Sequence, residues 1–114
     1  MSGKKNPLKL NKLQLRTLAL AQVLARDPKT AKTNEETGEV ELLSLPRVHG
    51  DHVHVGRFVV SAREASGFSN PAVLAAFKRK GLAKDDNPLT LTLTAEGVAY
   101  DTGLGDRFLA ESDH

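Results

Sequence analysis

The hydrophobic pattern near the start of the chain predicts an amphipathic helix. Leu13, Leu20 and Leu24 fall on one stripe at helical spacing, and Leu15 and Leu18 widen that stripe. An apolar stripe of this kind has to be buried, so the helix should supply much of the core.

Signals at both ends set the length of this first helix. Asn11 can cap it, and Gln14 three residues later completes a capping-box pattern. Pro28 disfavours helical backbone at the residue before it, so the helix should end near Arg26.

The first helix is apolar around more of its circumference than one-sided packing requires, because Leu15, Ala19 and Val23 extend the stripe. This surplus has two interpretations: core contact with a hairpin that follows, or the seam of a homodimer. A wide apolar arc is usual for the first helix of a small domain, which favours the core.

Two stretches after the first helix predict strands. Residues 28–41 are polar around a turn centre and favour a hairpin, with a weak strand near 30–33 and a firmer one at 40–45. A loop would account for the residues at 28–41 nearly as well. The Val- and Phe-rich run at 52–60 predicts one strand, with a bulge at Gly56.

Local signals are densest over residues 61–97. Ser61 can cap a short helix over 62–66, because Glu64 follows three residues later. Gly67 can take the left-handed conformation that stops this helix.

A second helix is predicted over 70–80. Ser69 or Asn70 can cap it, and Gly81 can end it. Its buried face should hold Val73, Leu74, Phe77 and, just beyond the helix, Leu82. The outer face should hold Ala72, Ala75, Ala76, Lys78 and Arg79.

Residues 84–94 predict a second hairpin with its turn at 85–88, because Leu and Thr alternate along its second strand. Thr94 and the residues up to Gly97 should begin a last short helix. Together these elements give an α+β fold with a small antiparallel sheet and an extra hairpin after the first helix.

Composition agrees with one small domain. The chain has 114 residues, 39% of them hydrophobic, with no Trp and no Cys. The core should therefore consist mainly of Leu, Val and Ala, with Phe58, Phe68 and Phe77 as its large members.

The patterns divide the chain into a flexible basic arm at 1–9, a folded domain at 10–101 and a loosely ordered acidic tail at 102–114. No stretch approaches the roughly 20 apolar residues of a membrane span, and the N-terminus lacks the apolar centre of a signal peptide. We therefore expect a cytoplasmic protein without a membrane partner.

The net charge of +2 conceals a segregation along the sequence. Basic residues outnumber acidic ones eight to one over 1–32 and four to none over 67–84. Acidic residues prevail six to three over 33–66 and seven to one over 85–114. Such blocks can build a one-signed surface even when the total charge is small.

Residues 61–97 resemble the winged helix-turn-helix domains of bacterial transcription regulators, including the MarR type. The likeness is carried by Gly67-Phe68-Ser69, by the helix AVLAAFKRKGLAKDD and by the junction LTLTAEG. The whole arrangement, with its inserted hairpin, is also similar to the YjhX-like small bacterial proteins. The resemblance implies a winged helix that binds double-stranded DNA and regulates transcription.

In such a domain the second helix of the motif would enter the major groove. The residues implied in nucleic-acid binding are Arg63, Ser69, Asn70, Lys78, Arg79 and Lys80. Ser69 and Asn70 could reach base edges, the three basic residues at the helix end suit phosphates, and Arg63 could add a clamp. An alternative for those three is a favourable interaction with the helix C-terminus, worth about 0.3–1 kcal/mol.

Two features depart from the winged-helix pattern. Arg63 occupies a position that usually holds a small residue, and the wing tip carries Asp85 and Asp86, which a phosphate backbone would repel. The alternative function is a winged-helix module for protein–protein interaction without DNA binding, acting through the first helix or the acidic tail.

One further cluster could carry chemistry: His49, Asp51, His52 and His54. His52 and His54 would share one side of a strand, but an H-x-H pair alone is weak support for a metal site, and we predict no bound metal. The sequence shows no nucleophile with a nearby base, no phosphate-cradling glycine loop and no paired carboxylates. We expect neither enzyme activity nor a cofactor.

Overall fold

The computed structural model describes residues 7–43, 45, 50–55, 58–63, 65–84, 90–103 and 110–111. These residues form an α+β fold, as predicted. In chain order its elements are α1 (Lys12–Ala25), β1 (Ala31–Asn34), β2 (Glu39–Leu42), β3 (His52–Val55), β4 (Phe58–Ser61), a 3₁₀ helix (Ser66–Ser69), α2 (Pro71–Arg79), β5 (Ala83–Lys84), β6 (Leu91–Leu93), α3 (Ala95–Ala99) and β7 (Ala110–Glu111).

Helix α1 begins where the sequence predicts, because both halves of the capping box form. Asn11 Oδ1 accepts a hydrogen bond from Gln14 N at 2.8 Å, and Gln14 Oε1 accepts one from Asn11 N at 3.0 Å. The helix ends at Ala25, and Arg26 is its C-cap, two residues before Pro28.

The second half of α1 is buried on all sides, since every residue from Thr17 to Leu24 is buried. The 3₁₀ helix, α2, α3 and strands β1, β2 and β3 all pack against it. Ala19 and Val23, whose apolar character fitted either a core or a dimer seam, are core residues, whereas Leu15 is half-buried.

Strands β1, β2, β6 and β5 form a four-stranded antiparallel sheet in that order. Both predicted hairpins are therefore present, although the tip of the second, with Asp85 and Asp86, lies outside the described residues. Alternation along the strands makes one face apolar. Its buried residues form two rows of cross-strand neighbours: Ala31, Leu42 and Leu91 in one row, and Val40, Leu93 and Ala83 in the other.

The single strand predicted over 52–60 is wrong, because β3 and β4 form a hairpin there. Val53 lies opposite Val60 and Val55 opposite Phe58, with only positions 56 and 57 between the strands. In both a two-residue connection and a bulge, the apolar positions switch between odd and even residue numbers, so the sequence does not distinguish the two. Strand β7, from within the predicted acidic tail, adds to β4 as a third strand.

The short α-helix predicted over 62–66 is also wrong. Residues 62, 63 and 65 lie in turns, and the 3₁₀ helix begins only at Ser66. Gly67 is not a left-handed stop: it lies inside the 3₁₀ helix, against Thr17 of α1, and a Cβ at this position would overlap the Thr17 side chain. Glycine is required here for close approach of two elements.

Helix α2 follows its predicted boundaries. Asn70 Oδ1 accepts a hydrogen bond from Ala72 N at 3.0 Å, Pro71 is the first helical residue, and Gly81 adopts φ +78° just after the helix.

The buried face of α2 is wider than predicted. Val73, Phe77 and Leu82 are buried as expected, but Ala76, which was expected on the outer face, is only 1% exposed. Ala76 follows Val73 by three residues and therefore lies on the same side of the helix. Phe68 is buried as well, and the side chain of Phe58 lies outside the described residues.

A buried amide ties α1 to the segment around α3. Gln22 Nε2 donates to the Gly97 carbonyl at 3.0 Å and to the Tyr100 carbonyl at 2.9 Å, and Gln22 is only 8% exposed. Thr94 caps α3 by accepting from Gly97 N at 3.0 Å, as the sequence predicts. Within the described ranges, no helix has the length and apolar character needed to cross a membrane.

We expect Gly67→Ala to lower the free energy of unfolding by roughly 1–3 kcal/mol, the usual cost of overpacking a core. The reason is the overlap of the added methyl with the Thr17 side chain. Denaturant unfolding measures this cost, and it should be smaller in a Thr17→Ala background, where the facing hydroxyl and methyl are gone. An equal cost of Gly67→Ala with and without Thr17→Ala would contradict the packing explanation.

Gln22→Met keeps a similar volume but cannot donate hydrogen bonds, so the Gly97 and Tyr100 carbonyls lose their partner. We expect a loss of about 1–3 kcal/mol in the free energy of unfolding, measured by denaturant titration. The control is Lys29→Met at an exposed position, which should change stability by less than about 0.5 kcal/mol. Equal stability of the two variants would show that these bonds contribute nothing.

Candidate nucleic-acid interface

The C-terminal end of α2 lies beside the segment that precedes α1. Lys80 Nζ donates a hydrogen bond to the Leu8 carbonyl at 2.8 Å. Leu8 N donates one to the Tyr100 hydroxyl at 3.2 Å. Both the carbonyl and the amide of Leu8 are therefore hydrogen-bonded to side chains from much later in the sequence, those of Lys80 and Tyr100, which follow it by 72 and 92 positions.

We call residues 7–10 the strap. Leu8 is half-buried and Leu10 is buried, while Lys9 between them has an exposed side chain. Lys9 has φ +56° and is the one non-glycine residue with positive φ among the described residues. This left-handed conformation is unfavourable for a lysine, so the anchors on either side impose it.

Residues 7–9 of the predicted basic arm are therefore anchored, and residues 1–6 lie outside the described residues. A cleft of about 470 Å³ runs between the strap and residues 80–82, and Glu96 lines it together with Tyr100. One acidic side chain thus accompanies the basic residues on this side of the molecule.

The residues predicted to read bases lie at the start of α2 and make local hydrogen bonds. Ser69 Oγ donates to the Ser66 carbonyl at 3.0 Å, and Asn70 Oδ1 caps the helix at Ala72 N. Ser69 is exposed and keeps its acceptor lone pairs. Asn70 is half-buried, and its carbonyl oxygen is committed to the cap.

Arg63 is exposed in the turn before the 3₁₀ helix, and not on a helix as predicted. At the other end of α2, Arg79 is exposed, and Lys78 and Lys80 are half-buried. Five of the six predicted residues thus lie in two groups at the two ends of α2, roughly 13 Å apart at 1.5 Å per residue, and Arg63 lies apart from both in its turn.

Lys9 joins the second of these groups through the strap, because it directly follows Leu8, whose carbonyl accepts the hydrogen bond from Lys80. Lys12 is exposed in the first turn of α1, two residues after the buried Leu10. Charge counting singles out this block of sequence, but no local pattern connects it with Lys80, because the link is a contact between distant parts of the chain.

The outer face of the four-stranded sheet is a second polar surface. A cleft of about 450 Å³ there is lined by Lys32, Glu41, Thr92 and Lys84, and Lys84 Nζ pairs with Glu39 Oε1 at 3.2 Å. Acidic and basic side chains alternate on this face, which makes it less suited to an anion than the end of α2.

The predicted histidine cluster is described only in part. Asp51 is exposed, whereas His49 and the side chains of His52 and His54 lie outside the described residues. Among the residues that the structure does describe, no group of three or more His, Cys, Asp or Glu is placed to hold a metal ion.

Comparison with known proteins gave no match: no protein-family model, no curated protein and no solved structure corresponds to this chain. The winged-helix relationship therefore stays a prediction.

The strain at Lys9 can be measured by comparing two variants. Lys9→Gly should be more stable than Lys9→Ala by about 1 kcal/mol, because glycine adopts positive φ without a steric cost. Denaturant unfolding of both variants measures the difference.

Lys12 provides the matched control, since it lies in the first turn of α1. There glycine should not be the more stable choice, because the backbone is helical and alanine has the higher helix propensity. The same order at both positions would contradict a left-handed backbone at Lys9.

Proposed function

We propose that this protein binds double-stranded DNA, mainly through phosphates and with modest base specificity, as a winged-helix transcriptional regulator. The observation that carries the proposal is the contact between the strap and the end of α2. It holds the backbone next to Lys9, from the first basic block, against Lys80, from the second.

The order of elements supports the winged-helix part of the proposal. Helix α1, strand β2, helix α2 and the hairpin of β5 and β6 follow one another as the resemblance requires, and β2 pairs with β6. The first helix of the expected helix-turn-helix is reduced to a 3₁₀ helix, which packs against both α1 and α2. This short support leaves α2 as the main element for contact with a duplex.

The exposed face of α2 favours phosphate contact over base readout. Ala72, Ala75 and Arg79 share this face at helical spacing, so the helix can approach a groove closely while offering only methyl groups to the bases. Arg79 and the neighbouring Lys78 supply the charge that holds the helix on the backbone.

Phosphate contacts can be counted from the salt dependence of the DNA-binding constant. Each one releases condensed counterions, so the logarithm of the binding constant falls with the logarithm of the salt concentration by about 0.9 per contact. A regulator of this kind would act in the cytoplasm, without catalysis and without a cofactor. It would gain sequence preference from a second copy or another protein.

Lys78→Ala combined with Arg79→Ala should weaken binding to a mixed-sequence duplex and reduce the salt slope by about 1.8, because two phosphate contacts are lost. Fluorescence anisotropy at four or five salt concentrations gives both quantities. The control pair, Lys29→Ala with Lys32→Ala, removes the same charge from exposed positions near β1 and should leave the slope unchanged.

Absent or salt-insensitive binding of the wild-type protein to duplex DNA would end the proposal. Equal losses in the two variant pairs would show a general charge effect without a site. A protein partner captured equally by wild type and by the Lys78/Arg79 variant would instead support the interaction-module alternative.

A further inference from the structure

We infer that Lys9 contacts a phosphate of the bound duplex, and that Lys80 and Tyr100 act by positioning the strap that carries it. This inference rests on the proposed DNA binding and assigns roles within that same surface. It changes the role of Lys80, which the sequence suggests as a direct contact.

The ammonium group of Lys80 is already engaged. Its Nζ lies 2.8 Å from the Leu8 carbonyl oxygen, and its side chain is half-buried against the strap. Moving this group to a phosphate would leave the Leu8 carbonyl without its partner. The residue directly after that carbonyl is Lys9, whose side chain is exposed.

The second anchor of the strap is connected to the core. Tyr100 accepts the hydrogen bond from Leu8 N through its hydroxyl, and its own carbonyl accepts one from the buried Gln22 at 2.9 Å. Tyr100 thus links the second half of α1 to Leu8, through its backbone carbonyl on one side and its hydroxyl on the other. On the other side of Lys9, Leu10 is only 4% exposed.

The backbone of Lys9 points to a role for its side chain. Glycine or asparagine would fit φ +56° at less cost, so the local conformation does not explain why a lysine stands there. Strained residues held by well-anchored neighbours are found disproportionately at functional sites. The feature that lysine adds at this position is an exposed positive charge beside the end of α2.

A fixed strap has a binding consequence that a free arm lacks. A lysine on a free arm must be ordered when it binds, whereas the backbone of Lys9 is already held in place. Removing the hydrogen bond of Leu8 to Lys80 or to Tyr100 should therefore weaken DNA binding when Lys9 is present. The same change should have little effect on binding when Lys9 has been replaced.

The test is a pair of double-mutant cycles read by duplex binding at several salt concentrations. Lys9→Ala should reduce the salt slope by about 0.9. Lys80→Ala and Tyr100→Phe should each weaken binding when Lys9 is present, and should add little once Lys9 is replaced by alanine. Tyr100→Phe changes no charge, so its effect cannot come from lost electrostatic attraction.

Hydrogen exchange at the Leu8 amide provides a readout that needs no DNA. It should be faster in Tyr100→Phe than in wild type, because the amide loses the hydroxyl that accepts its hydrogen bond. Lys29→Ala, an exposed lysine beyond the opposite end of α1, is the control and should change neither exchange nor binding.

The outcomes separate the two proposals. If Lys80→Ala and Lys9→Ala reduce the salt slope additively, Lys80 contacts a phosphate itself and the positioning role is wrong. Wild-type affinity in Lys9→Ala would overturn this inference while leaving the proposed function standing. A wild-type protein that binds no duplex would overturn both.

Discussion

The complete burial of the second half of α1 is the constraint on which the rest of the structure depends. A helix buried on all sides needs cover from several directions, and here the four-stranded sheet, the strand β3 and the 3₁₀ helix provide it. Its two buried polar side chains are both satisfied: Thr17 donates to the Leu13 carbonyl at 2.8 Å, and Gln22 holds two carbonyls near α3. The packing of the strap and of α2 follows from this arrangement.

Local signals in the sequence are sufficient for the starts of the three α-helices and for two hairpins, but the capping signal at Ser61 is followed by turns. Capping at Asn11, Asn70 and Thr94 depends on residues within one turn, so these starts are predictable. The hairpin over 52–61 is not, because a two-residue connection and a bulge shift the apolar parity in the same way. Gly67 serves contact with Thr17, fifty positions earlier, which no local pattern records.

The candidate site is predictable only in outline. The charge blocks and the end of α2 point to the regions that the strap brings together, and Arg79 lies at the surface as a phosphate contact requires. The role of Lys80 is not predictable, because its partner is the carbonyl of Leu8, far away in the sequence. The left-handed backbone of Lys9 is likewise a product of tertiary anchoring, and lysine itself gives no hint of it.

The contact between Leu8 and Tyr100 also has a consequence for the order in which the molecule assembles. Its two partners are separated by 92 positions, so closing this contact costs more chain entropy than forming any of the hairpins. Leu8 packs against the core beside the buried Leu10, but both of its backbone hydrogen bonds are made to side chains that come much later in the chain. The strap therefore leaves the ribosome ahead of the residues that hold it, and its two backbone hydrogen bonds can form only after the chain has been made as far as Tyr100.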